Sequence, residues 1–137
     1  MPRKVRKVDY FYIEAPNKPG EGARVLEELL KGGVNLLAFS GFPQGRNAQI
    51  DFIPDNVAKF KAAAKKAGLK ISARKRGFLI QGDDRPGAVA AVMGKLSAIR
   101  VNVTAIDAVS AGKGRYGAIL WVSPADYGKA AKALGAT

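Results

Sequence analysis

The sequence predicts an α+β fold built from two consecutive copies of one unit, each with an antiparallel sheet and helices on one face. Three observations predict it. Sliding the chain by 67 positions superposes residues 17 to 41 on 84 to 108 with eight identities in twenty-five, among them Pro19/Pro86, Gly20/Gly87, Leu29/Leu96 and Asn35/Asn102. Each copy alternates short β-rich runs with stretches of helical period. The same loop, "APNKPGEG" in one copy and "GDDRPGAV" in the other, joins the first strand to the first helix of each.

The elements follow in order. "DYFYIE" (9 to 14) and "GFLIQ" (77 to 81) are rich in β-formers and end at the Pro-Gly loops. Apolar residues then fall at helical spacing: Val25, Leu26, Leu29 and Leu30 in the first copy, Val89, Val92, Met93, Leu96 and Ile99 in the second. Gly32-Gly33 ends the first helix, whereas Ile99-Arg100 stand at the matching place in the second. "NLLAFSGF" and "NVTAIDAVS" are second strands, turned by "PQGRN" and "AGKGR" into third strands "AQIDFI" and "YGAILWV". Pro54 and Pro124 match at an offset of 70, and each introduces a second helix, "NVAKFKAAAKKAG" and "DYGKAAKALGA". "LKISAR" (69 to 74) completes the first copy as a fourth strand.

This order is the ferredoxin-like βαββαβ unit, two helices on one face of a four-stranded sheet. Units of residues 1–75 and 76–137 are expected. The second copy runs out soon after its last helix, so its fourth strand is expected to be short, missing, or supplied from elsewhere, because an unfilled sheet edge invites pairing.

Composition limits the chemistry. The chain of 137 residues has no cysteine and no histidine, which removes disulfides, thiolate nucleophiles, most zinc sites and the usual acid-base group near neutral pH. No carboxylate pair flanks a plausible cleft, and Glu27, Glu28, Asp51 and Asp107 read as surface or strand residues. An enzyme is not expected, and no cofactor is called for. The net charge of +12 sits in "RKVRK" (3 to 7), on Lys59, Lys61, Lys65 and Lys66, and in "RKR" (74 to 76). It attracts anions, nucleic acid or acidic partners without defining a site. There is no secretory signal and no apolar run near the ~18 residues of a membrane span, so a cytoplasmic location with no membrane partner is expected.

Strand, then Asn/Asp-x-Pro-Gly, then a helix with Val and Leu on one face, then Val-Asn leading into the next strand, resembles the ACT domain, a small regulatory module that binds amino acids. "NKPGEGARVLEELLKGGVN" and "DRPGAVAAVMGKLSAIRVN" carry the resemblance, the second without the usual glycine at its helix end. The resemblance implies ligand at the edge between paired units, held by the strand-to-helix loop and the helix it opens.

The residues suit that role. A helix N-terminus presents unpaired N–H groups and partial positive charge to a carboxylate. Pro19 and Pro86 fix the backbone at the helix start, and Gly20 and Gly87 carry no Cβ to hold a ligand away. Asn17, Asp83 and Asp84 offer acceptors for an ammonium group, and Lys18 and Arg85 offer positive charge. Asn35 and Asn102, at the start of the neighbouring strands, are candidates to close the site. The plainer reading makes Asn17 and Asp84 helix caps with no ligand.

"GKGRYG" (112 to 117) fits a dinucleotide glycine pattern, but it turns between two strands with no helix after it. Two rival readings remain. RNA recognition motifs share the element order and stack bases on aromatics of the first and third strands, where this chain has Tyr10, Tyr12 and Trp121. The other rival is a ligand-free interaction module that docks a separate enzyme or regulator. The third strand "AILWV", apolar on both faces, suggests a sheet covered by another sheet in a homodimer. The expectation is a stand-alone sensor of a small amino acid or related carboxylate.

Overall fold

The computed structural model describes residues 3–137. The order is β1 (Lys4–Pro16), α1 (Glu21–Lys31), β2 (Leu36–Gln44), β3 (Asn47–Pro54), α2 (Val57–Lys66), β4 (Lys75–Asp83), α3 (Ala88–Ala98), β5 (Val103–Gly112), β6 (Arg115–Val122), a 3-10 turn at Pro124–Asp126 and α4 (Tyr127–Leu134). The chain forms two compact units. One is Asp9–Lys75; the other joins Arg76–Thr137 to the N-terminal half of β1 up to Val8.

In the N-terminal unit the strand order is β2, β3, β1 with antiparallel neighbours, and Phe39, Phe52 and Phe11 align across it. Alternation puts Phe11, Ile13, Ile50 and Phe52 on one face, which Val25 and Leu29 of α1 and Phe60 and Ala63 of α2 cover. Phe60 closes the core, its ring 5.2 Å from that of Phe11 and 5.4 Å from that of Phe52. Leu30, placed on the apolar stripe by its spacing, is instead 73% exposed, one residue and thus about 100° round the helix from buried Leu29.

The expected fourth strand at 69 to 74 does not form a regular strand. Ser72 donates its backbone N–H to the Tyr12 carbonyl at 2.8 Å, but the Tyr12 N–H goes to the Ser72 Oγ at 3.0 Å. A serine hydroxyl has taken the place of a backbone carbonyl, and the ladder stops there.

In the C-terminal unit the order is β1, β4, β6, β5, with the first half of β1 where the missing fourth strand belongs. The edge is therefore filled from the other end of the chain. Val5 is buried in a core made with Phe78, Ile80, Val92, Leu96 and Leu120. Thr137 closes the chain against it, donating to the Val5 carbonyl at 3.1 Å and accepting from the Lys7 N–H at 2.9 Å. The basic "RKVRK" stretch is thus largely strand. Tyr127 of α4 stacks on Phe78 at 4.7 Å and donates its hydroxyl to the Gly77 carbonyl at 3.1 Å.

Both first helices end alike: Val34 donates to Leu29 and Val101 to Leu96. Gly33 adopts φ 70° in one copy, and Arg100 adopts φ 58° at the equivalent place in the other. The second copy closes its helix without the glycine, at a strain of about 1 to 2 kcal/mol. On the sheet face away from the helices, Ile119 and Trp121 are 7% and 9% exposed. Among the described residues no helix is long and apolar enough to cross a membrane.

Candidate functional site

Both loops start their helices the same way. The residue before α1 is Gly20 at φ 91°, and the residue before α3 is Gly87 at φ 84°, both in the left-handed region that an L side chain resists. A Cβ at either position would meet nothing within 4 Å, so glycine is required by the backbone turn and not by crowding. No side chain caps either helix. Asn17 and Asp84 are therefore not the caps of the plainer reading. Glu21 donates its N–H to the Lys18 carbonyl and Ala88 to the Arg85 carbonyl, while the next amides, of Gly22 and Ala23 and of Val89 and Ala90, find no acceptor among the described residues. Two pairs of donors face outward at helix N-termini, the arrangement that favours an anion.

The surroundings of the two loops differ. In the C-terminal unit a cavity of about 450 Å³ is lined by Arg3, Asp83, Arg85, Gly87, Ala91 and Tyr116, among others. A second, of about 330 Å³, shares Arg85, Gly87, Ala88 and Tyr116 with it and adds Asp84, Val109 and Ser110. Pro86 lines the first. In the N-terminal unit a cavity of about 580 Å³ follows Tyr12 to Pro16, with Asn47 and Lys70 to Ser72. Its lining does not reach Asn17, Lys18, Pro19 or Gly20.

The carboxylates around the second loop are engaged. Arg115 Nη1 lies 2.8 Å from Asp83 Oδ1, a partly exposed pair. Ser110 donates its hydroxyl to Asp84 Oδ2 at 2.8 Å, and the Asp84 N–H donates to the Gly114 carbonyl at 2.9 Å. Tyr116 stands opposite Gly82 in the β4–β6 pairing. It is 6% exposed, and its hydroxyl is buried with no hydrogen-bond partner among the described residues. Leaving such a group unsatisfied disfavours the folded state by about 1 to 3 kcal/mol. The ring fits only because residue 82 is glycine: a Cβ there would come 2.8 Å from Tyr116 Cε1.

Asn35 and Asn102 do not close these sites. They precede β2 and β5, whose far ends meet the loops: Pro16 pairs with Asn47 and Asn47 with Gln44, and Asp83 pairs with Arg115 and Arg115 with Gly112. Asn35 is therefore a strand length, about 25 Å, from the Pro19-Gly20 loop, and its carbonyl accepts from the Asp55 N–H. The neighbouring strand contributes at its end, through Ser110. Arg3, Ser110, Arg115 and Tyr116 are the residues that the sequence reading missed. The register was the signal for two of them, since placing "YG" of the third strand opposite "QGD" of the first brings Tyr116 and Arg115 to the loop.

The sheet face that an RNA-binding module would use is unsuited to bases. Trp121 is buried, and Tyr12 lies directly opposite Asp51, which is itself buried and accepts from Gln49 Nε2 at 3.0 Å. Burial first, then the charge of Asp51 and the neighbouring Tyr12, push the Tyr10 hydroxyl up to about 12.

No family model and no curated protein sequence gives a significant match to the chain. Solved structures do. Protein BT0572 from Bacteroides thetaiotaomicron superposes with a TM-score of 0.82 at 23% identity, over 96% of this chain and 88% of that one. The ligand-free regulatory subunit of aspartate kinase from Thermus thermophilus gives 0.67 at 18% identity, over 98% and 95%. The aspartate kinase of Clostridium acetobutylicum gives 0.57 at 17% identity, with 97% of this chain matched to 32% of the enzyme. At these identities what is shared is the architecture: this chain has the ACT-like α+β fold of aspartate kinase regulatory subunits.

Proposed function

We propose that this chain is a tandem ACT-like regulatory module that binds a small amino acid or related carboxylate, without covalent chemistry, at the loops spanning residues 14–22 and 81–88. One observation carries this reading: each loop turns through a left-handed glycine into a helix whose next amides have no acceptor among the described residues, and Gly87 borders both a cavity of about 450 Å³ lined by Arg3 and Arg85 and an adjoining one of about 330 Å³ lined by Val89 and Ala90. A volume of several hundred Å³ is ordinary for a metabolite site. The likeness to regulatory subunits of aspartate kinase supports a regulatory role in preference to a catalytic one.

In this reading the protein is a cytoplasmic sensor and not an enzyme. Ligand alters how units pack, and the signal passes to a second copy or a separate enzyme. The surface for a second copy is an edge strand, β2 with exposed Phe39 and Phe42 or β5 with exposed Val109. A ligand of about ten heavy atoms at an efficiency of about 0.6 kcal/mol per atom binds with a Kd of roughly 10 µM to 1 mM.

The test is a thermal shift titration of the twenty amino acids and a set of short carboxylates, with a single-stranded oligonucleotide alongside. A saturable rise in Tm with a carboxylate supports the reading. A rise with the oligonucleotide alone, lost at high salt, replaces it with nucleic-acid binding.

A further inference from the structure

We propose that the ligand loop in use is that of the C-terminal unit alone, and that its ligand is a compact dicarboxylate, two acidic groups joined by a short chain. The inference rests on the carboxylate-sensor reading above and adds the place and the charge of the ligand.

Charge comes first. Arg3 and Arg85 line the cavity at Gly87, and neither forms an ion pair among the described residues, while Asp83 is matched by Arg115 at 2.8 Å. The α3 terminus, whose Val89 and Ala90 line the adjoining cavity, adds partial positive charge nearby. A neutral amino acid brings one carboxylate and an ammonium group. It would leave one of these two guanidinium groups without a carboxylate. A dianion sets one carboxylate against Arg85 and the second against Arg3, and guanidinium groups hold carboxylates in a planar, two-pronged geometry.

The second argument is Tyr116. Its hydroxyl is buried and lacks a partner among the described residues, and the ring is a wall common to both cavities at this loop. A phenol O–H donates well to a carboxylate oxygen and has nothing else to donate to here. The other copy lacks these groups. The β1–β3 pairing sets Ala15 opposite Ala48 and Pro16 opposite Asn47, where the β4–β6 pairing sets Gly82 opposite Tyr116 and Asp83 opposite Arg115. The N-terminal loop thus has the open amides but neither the phenol nor the arginine that holds the acid. The cavity near it is bordered by Glu14, which repels a dianion.

Isothermal titration calorimetry on the intact chain at pH 7 and low salt, with succinate, L-glutamate, L-alanine and L-lysine as separate probes, tests this. Succinate and L-glutamate should bind at least about tenfold tighter than L-alanine, and their ratio reports whether an α-ammonium group is tolerated. Tyr116→Phe should weaken both by about tenfold, and Arg85→Ala by about tenfold or more, the range of one hydrogen bond to a charged group. Lys59→Ala, exposed on α2 and outside both loops, should change nothing. L-alanine or L-lysine binding as tightly as succinate, or unchanged binding in Tyr116→Phe, would overturn the inference and leave the sensor reading standing. A loss in Lys18→Ala as large as that in Arg85→Ala would overturn the choice of loop. No heat with any of the four probes would overturn the inference, while binding of some other amino acid in the thermal titration would still uphold the broader reading.

Discussion

The two strand-to-helix loops share their backbone and differ in what surrounds it. Both pass through a left-handed glycine, and both leave two helix amides without acceptors among the described residues. Beside the first, β1 and β3 bring Ala15 and Ala48 together; beside the second, β4 and β6 bring Gly82 and Tyr116. The change is coupled. A Cβ at residue 82 would stand 2.8 Å from the tyrosine ring, so the phenol is present in the second copy because the glycine is, and two alanines fill the same space in the first. The comparison teaches that a repeated loop preserves a generic anion-attracting terminus, while cross-strand pairs decide whether a specific polar group reaches it.

Four experiments break or sharpen that contrast. Val5→Asp puts an unpaired carboxylate into the core of the C-terminal unit and should lower its stability by about 3 to 5 kcal/mol. Urea unfolding followed by the fluorescence of Trp121, the single tryptophan, reports that unit directly. A midpoint like that of the wild type would mean that the N-terminal half of β1 does not complete this sheet.

Gly82→Ala forces the tyrosine ring to move and should destabilise by about 1 to 3 kcal/mol, as overpacking does. The mirror change, Ala15→Gly, loses only strand propensity and buried surface, about 1 kcal/mol. Equal effects in chemical denaturation would show that the two pairs are interchangeable. Tyr116→Phe should stabilise the free protein by about 1 to 2 kcal/mol, because it removes a buried hydroxyl that has no partner among the described residues. A loss of stability instead would mean that the hydroxyl is satisfied in solution.

The smallest effect lies in the N-terminal unit. Ultraviolet titration should show one tyrosine ionising near 12, as burial and Asp51 hold Tyr10 protonated. The unfolded chain gives up that proton near 10. The contribution to stability is therefore complete below pH 10 and is lost as pH rises from there through 12. Asp51→Asn should bring the value partway down, leaving the part due to burial.

Much of this was legible in the chain. The Pro-Gly loops, the helical spacing of Val25 and Leu29 and of Val92 and Leu96, and the turns at Gly45 and Gly114 are local signals, and the elements stand where these signals put them. The fourth strands were not legible in the same way. "LKISAR" has the composition of a strand, but the Ser72 hydroxyl takes the Tyr12 amide. Lys4 to Val8 look like a basic tail, yet Val5 and Val8, on opposite faces of the strand, are buried while Lys4, Arg6 and Lys7 stay exposed. At the site, Asn35 and Asn102 are candidates by standing at the start of the neighbouring strands, but a residue that opens a strand lies at the far end from the loop that follows the parallel strand.

The sequence by itself determined the duplication, the order of elements, the two glycine-started helices and the excess positive charge, because backbone turns and hydrophobic period are written in neighbouring residues. Only the tertiary structure decided which end of the chain fills the open edge of the C-terminal sheet and which loop receives a phenol and an arginine. Those choices depend on strand register, a relation between residues 32 and more positions apart that no local pattern encodes.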